Sequence, residues 1–129
     1  MHYEDRPSEP IDAETCRAIC REAAVVAKEL TGRGPLSLKA FCSEMALVMI
    51  FRDHLTPLEQ MLSGEASGRV RAMRRAAFEG NWERLAEIVE RLGDVKVETV
   101  LWDLEPQDNV SAWFFVLEPG TGTLPPSPA

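Results

Sequence analysis

Seven consecutive residues, MALVMIF at positions 45–51, carry no polar side chain, with Glu44 just before them and Arg52-Asp53 just after. A helix that crosses a bilayer needs about 20 apolar residues, so this run is too short to be one. It must be a buried strand, a buried stretch of helix, or a surface that meets a partner. The residues upstream decide. Leu36, Leu38, Ala40 and Cys42 alternate with Ser37, Lys39 and Phe41, the period of two that marks a strand. Ser43-Glu44 then fits a tight turn, and MALVMIF reads as the returning strand of a hairpin.

Helical periods surround this hairpin. Cys16, Ile19, Ala23, Val26 and Leu30 recur every three or four residues, which predicts a helix over 12–30. Gly32, Gly34 and Pro35 stop it. In LTPLE (residues 55–59), Thr56 can cap a helix, Pro57 suits the first helical position, and Glu59 completes a capping box. A short helix to about residue 62 should follow. A longer one over 65–92 places Val70, Met73 and Ala77, then Leu85, Ile88, Val89 and Leu92, on its apolar side, with a kink or break at Gly80-Asn81. Residues 95–104 read as a strand whose apolar phase slips, signalling a bulge or a late start. Turn residues at 106–109 lead to a last strand at 110–117. The order α-ββ-αα-ββ predicts an α+β two-layer domain: a four-stranded, largely antiparallel sheet with helices on one face. The domain should span 11–117, between a polar arm (1–10) and a Pro/Gly-rich tail (118–129), both expected to be disordered.

The chain has 129 residues and a formal net charge of -7, which opposes general binding to nucleic acid or anionic lipid. No signal peptide is evident at the start, and three cysteines, an odd number, suit reduced thiols in the cytoplasm. Catalytic chemistry is sparse. His54, with Asp53 beside it, stands at a strand-to-helix junction, but adjacent strand residues point to opposite faces and make no ready dyad. Asp103 and Glu105 read as solvated flanks of a turn. Cys16 and Cys20 share a helix face and Cys42 lies on the first hairpin, yet a fourth metal ligand is not evident, so core packing is the expectation. No cofactor or metal is predicted. Trp82, Trp102 and Trp113 read as core or interface rather than the lining of a ligand pocket.

Two basic features remain. Gly32-Arg33-Gly34-Pro35 can expose backbone N–H groups to an anion, although a helix stop explains its glycines equally well. Arg69, Arg71, Arg74 and Arg75 cluster on an otherwise acidic chain; either they form a solvated face or they meet an anion or an acidic partner. Arg33, Arg71, Arg74 and Arg75 are therefore the candidate anion or partner contacts.

The strands are apolar on both faces. Met45, Leu47, Met49 and Phe51 oppose Ala46, Val48 and Ile50, while Trp113, Phe115 and Leu117 oppose Ala112, Phe114 and Val116. Helices on one side leave the other as an apolar patch, which isolated proteins rarely tolerate. A symmetric homodimer is the simplest cover, through a face expected to comprise Met45, Leu47, Met49, Phe51, Trp113 and Phe115. About 800 Å² per subunit would be a contact of ordinary size.

Residues 25–117 also resemble the MpsC family. The likeness rests on GRGP (32–35) before a strand, LTPLE (55–59) after the second, GRVRAMRR (68–75) opening a helix, and GDVKVETVLWDL (93–104), whose strand ends near Asp103. That family takes its name from the soluble component of a sodium-translocating, membrane-potential-generating system. The resemblance implies an accessory role in cation or inorganic-carbon transport, beside an antiporter-like membrane subunit and a large soluble protein. The combined expectation is a cytoplasmic, homodimeric interaction protein, without direct membrane insertion and peripheral to a membrane complex. A dimeric small-anion sensor near Arg33 is the alternative class, and an enzyme using His54 and Asp103 the third.

Overall fold

The structure is a computed structural model and describes residues 11–62 and 64–119. The expected N-terminal arm, and the C-terminal tail from residue 120 onward, lie outside the described residues.

Local signals set the element bounds. Helix α1 (Ala13–Thr31) starts where the Asp12 carboxylate accepts the Thr15 N–H at 2.7 Å. It ends at Gly32, whose φ of 80° is left-handed and whose N–H reaches the Lys28 carbonyl. Strands β1 (Ser37–Cys42) and β2 (Ala46–Arg52) form the first hairpin, and Ser43 Oγ accepts the N–H groups of Met45 and Ala46 in its turn. Helix α2 (Pro57–Met61) carries the complete capping box, with Thr56 and Glu59 each taking the other's backbone N–H. Gly80 and Asn81 separate α3 (Glu65–Glu79) from α4 (Trp82–Gly93). Strands β3 (Val97–Glu105) and β4 (Val110–Leu117) form the second hairpin, and both the late start and the slip are seen, as a register shift between Val97 and Thr99.

The four strands form one antiparallel sheet in the order β1-β2-β4-β3. The two returning strands are thus central, and β1 and β3 are the edges. Among the described residues, helices lie on one face only, with α1 against α4 and β1, and α3 and α4 against β3. Trp113 is a hub of this core: its ring stacks on Phe51 at 5.1 Å and meets the edge of Phe78 at 4.3 Å. Within α4, a Cβ on Gly93 would stand 2.7 Å from Cδ1 of the buried Ile11, so a side chain there would have to push Ile11 aside.

The face assignment corrects one expectation. Leu47, Met49, Phe51 and Phe115 are fully buried and Trp113 nearly so, all beneath the helices. Met45 precedes β2 and stands in the hairpin turn, exposed. The open face is the alternate set. Alternation shows that two apolar faces exist but not which one the helices take. They take the one bearing Met, Phe and Trp, where more apolar area leaves water. The apolar stripe of α3 is corrected as well: Val70, Arg74 and Phe78 face inward, while Met73 is 55% exposed.

Candidate functional site

Two places concentrate the unusual chemistry: a buried polar cluster under the helices and the uncovered face of the sheet.

The buried cluster grows from the segment that links β2 to α2. Asp53 turns the chain with φ of 56°, and Asn109 Oδ1 accepts the N–H groups of both His54 and Leu55 from the other hairpin's turn. His54 is thereby carried inward, 8% exposed, against α1 and α3. Arg74 reaches the same spot from α3. Its Nε donates to Glu59 Oε2 at 2.8 Å, a second donor binds Glu59 Oε1, and Nη2 also donates to the His54 carbonyl at 3.0 Å. The pair is bidentate and buried on both sides. The Thr56 N–H gives Glu59 a further bond at 2.8 Å.

A guanidinium can only donate, so His54 Nδ1, 3.3 Å from Arg74 Nη1, is the acceptor. The imidazole proton then sits on Nε2, facing Thr31 Oγ1 at 3.1 Å. Burial, and then the charge of Arg74, push the His54 pKa down to about 4. Burial alone would raise Glu59, but the bonds from Arg74 and the Thr56 backbone outweigh it and hold the carboxyl below its usual value. A neutral histidine with both ring nitrogens engaged is a structural tie between α1, α3 and the β2–α2 turn.

This has a consequence for acid stability. The folded pKa lies below the unfolded one, so the unfolded chain binds the extra proton between pH 6.5 and about 4. Stability is fully present above that window and falls on acidification through it, by up to about 3 kcal/mol. Urea unfolding at stepped pH should show this slope, and His54→Gln should flatten it. Equal stability of the wild type at pH 6.5 and pH 4.5 would contradict it.

The arginines expected to be available are largely engaged within the chain. Arg33 Nη1 donates to the Leu55 carbonyl at 2.7 Å and steadies the entry to α2. Arg74 is buried, correcting its reading as a surface contact. Arg71 pairs with Asp103 at 2.6 Å. Arg75 lies 5.4 Å from the centre of the Trp102 ring and donates to the Trp102 carbonyl. The Leu104 N–H, and then Arg71, hold the Asp103 carboxyl below its usual range despite the opposing effect of burial. His54 and Asp103 are not joined by any hydrogen bond. Of the tryptophans, Trp102 and Trp113 are core and Trp82 is 38% exposed. Among the described residues, no group of three or more His, Cys, Asp or Glu is placed to hold a metal ion.

The open face is ordered by strand register. Phe41, Val48, Phe114 and Leu101 stand opposite one another and make one apolar row across all four strands. Phe41 is 59%, Leu101 58% and Phe114 40% exposed. The next row runs Lys39, Ile50, Ala112, Asp103, and the one beyond it Ser37, Arg52, Val110, Glu105. Apolar residues occupy the centre, cations the β1–β2 side and carboxylates the β3 side.

Compared with known families, residues 12–119 match the model described as Na+-translocating membrane potential-generating system (MpsC). The chain belongs to the MpsC family. The match covers the whole described fold, both hairpins and every helix, and it includes the GRGP, LTPLE and GRVRAMRR segments. No curated protein and no solved structure matches the chain. No helix of the described residues is long and apolar enough to cross a membrane. The described residues of this MpsC chain form an α+β fold whose helices cover one face of the sheet and leave the other open.

Proposed function

We propose that this MpsC chain is a non-enzymatic interaction component of a sodium-translocating, membrane-potential-generating system, that it works as a homodimer, and that it sits on the cytoplasmic side. The row Phe41–Val48–Phe114–Leu101 carries this reading, because it is an apolar surface without a cover from the chain's own helices. A two-fold axis running along the strands, between two such faces, sets β1 of one copy over β3 of the other. The side bearing Lys39 and Arg52 then faces the side bearing Asp103 and Glu105, in both directions at once. Apolar centre and charge pattern are thus self-complementary.

The non-enzymatic part draws support from His54, which lines a small cavity but is neutral and hydrogen-bonded at both ring nitrogens. A small-anion sensor at Arg33 draws less, since one donor of that guanidinium, Nη1, is already bonded to the Leu55 carbonyl. Within the system, the dimer would dock on an antiporter-like membrane subunit and a large companion protein.

The test is made in cells that lack the gene, with sodium-dependent membrane potential read by a voltage-sensitive dye. The wild-type chain should restore the potential, and Phe114→Asp, checked for an intact fold by circular dichroism, should not. Full restoration by Phe114→Asp would reject the sheet face as the working surface.

A further inference from the structure

The two edge strands are treated differently. At β3 the chain's own side chains occupy backbone groups: Glu90 takes the Val97 N–H, Arg75 the Trp102 carbonyl, and Asp103 the Leu104 N–H. Side chains that satisfy an edge in this way discourage another strand from pairing there. At β1 no such bond from a described side chain reaches the backbone of residues 37–41. An edge strand of this kind presents a row of N–H and C=O groups outward.

Beside that edge runs a groove of about 560 Å³ between α1 and β1. Its charged lining is Arg17 and Arg21 from α1 and Lys39 from β1, with no carboxylate. This is unusual for a chain of net charge -7. Elsewhere five arginines find carboxylates, Arg71 with Asp103, Arg74 with Glu59, Arg75 with Glu79, Arg84 with Glu29, and Arg91 with Glu22 and Glu87, while Arg33, Arg52 and Arg69 pair with none among the described residues. Arg17, Arg21 and Lys39 enter no ion pair with a described residue and are all exposed. Leu38 and Phe41 add apolar lining to the same groove.

We infer that the α1–β1 groove docks an acidic, extended segment of a partner protein, which adds to β1 as a fifth strand. Main-chain bonds to the β1 edge supply affinity, and the flanking helix and alternate side-chain sites supply selection. Lys39 on the edge, together with Arg17 and Arg21, repels basic strands and favours those bearing carboxylates. The overall negative charge does not oppose this, because at physiological salt a charge acts over about 8 Å and the groove cations are nearest. Arg17, Arg21 and the outward backbone of β1 lie off the sheet face, so the proposal does not need the dimer, although Lys39 and Phe41 border both surfaces.

Phage-displayed random decapeptides are selected on the full-length protein, and the enriched peptides are synthesised and titrated by fluorescence anisotropy. The enriched sequences should be acidic, and their binding should weaken as salt rises. Arg17→Glu with Arg21→Glu should weaken them about tenfold or more. Arg17→Lys with Arg21→Lys should retain binding, and Phe114→Asp on the sheet face should leave it unchanged. Amide shifts on the bound protein should centre on residues 37–42. No enrichment, enrichment without acidic bias, equal binding to the Glu variants, or shifts centred on Val48, Leu101 and Phe114 instead of β1 would each overturn the inference. Vesicles containing phosphatidylglycerol that bound with the same dependence on Arg17 and Arg21, and displaced the peptide, would assign the groove to a membrane surface and overturn it too.

Discussion

Replacing Arg74 with methionine is expected to lower stability by about 3–5 kcal/mol, the range seen when one partner of a buried ion pair is removed. Glu59 is 8% exposed and would keep the Thr56 N–H but lose both guanidinium bonds. Its carboxylate would then be charged and only partly paired in the core, or would take up a proton to avoid that state. The His54 carbonyl and Nδ1 lose donors in the same step, which spreads the damage to α1 through Thr31. A loss of this size is a large fraction of what holds an ordinary domain together. Converting Glu59 to leucine as well should recover much of it, because two apolar groups leave no buried charge. The capping bond would still be missing, at about 1 kcal/mol. Urea unfolding of the four chains gives the cycle. Arg74→Met within about 1 kcal/mol of wild type would show that the pair contributes little.

A comparably large effect is expected at Phe115, and almost none next door in the isolated subunit. Phe115 is fully buried against Trp113 at a centroid distance of 6.4 Å, beneath the helices. Phe115→Ala removes that contact and leaves a cavity, costing about 3–5 kcal/mol. Phe114 points to the open face, 40% exposed, so Phe114→Ala should cost the monomer about 1 kcal/mol or less. Unfolding at low protein concentration measures both. Equal losses at the two positions would mean that the face of β4 is wrongly assigned or that Phe114 is covered within one subunit.

These neighbours also show what the sequence conveys and what it withholds. LTPLE announces its cap, Gly80-Asn81 its break, and the phase slip after residue 95 its bulge, because each depends on residues close in the chain. Alternation in MALVMIF and VSAWFFVL announces two apolar faces. It cannot say which one the helices cover, since that depends on how distant segments share the available area. Leu47, Met49, Phe51, Trp113 and Phe115, expected to be open to a second copy, are instead the residues the helices bury.

Arg74 was hidden for a different reason. Within an Arg-rich helix it reads as one more solvated cation, and Val70-Met73-Ala77 gives an equally regular apolar stripe. The signal lay in the alternative stripe, where Arg74 falls four residues after Val70 and four before Phe78. An arginine in a buried stripe requires a buried carboxylate, and Glu59 was already marked by its cap. The open β1 edge is a property of strand order, which no local pattern contains.

The bare sheet face is tested most directly by the mass of the protein in solution. Multi-angle light scattering at micromolar concentration should give twice 14.4 kDa for the wild-type chain. It should give 14.4 kDa for Phe114→Asp with its fold intact. A wild-type chain that stays at the single-subunit mass across this range would contradict pairing through the Phe41–Val48–Phe114–Leu101 row.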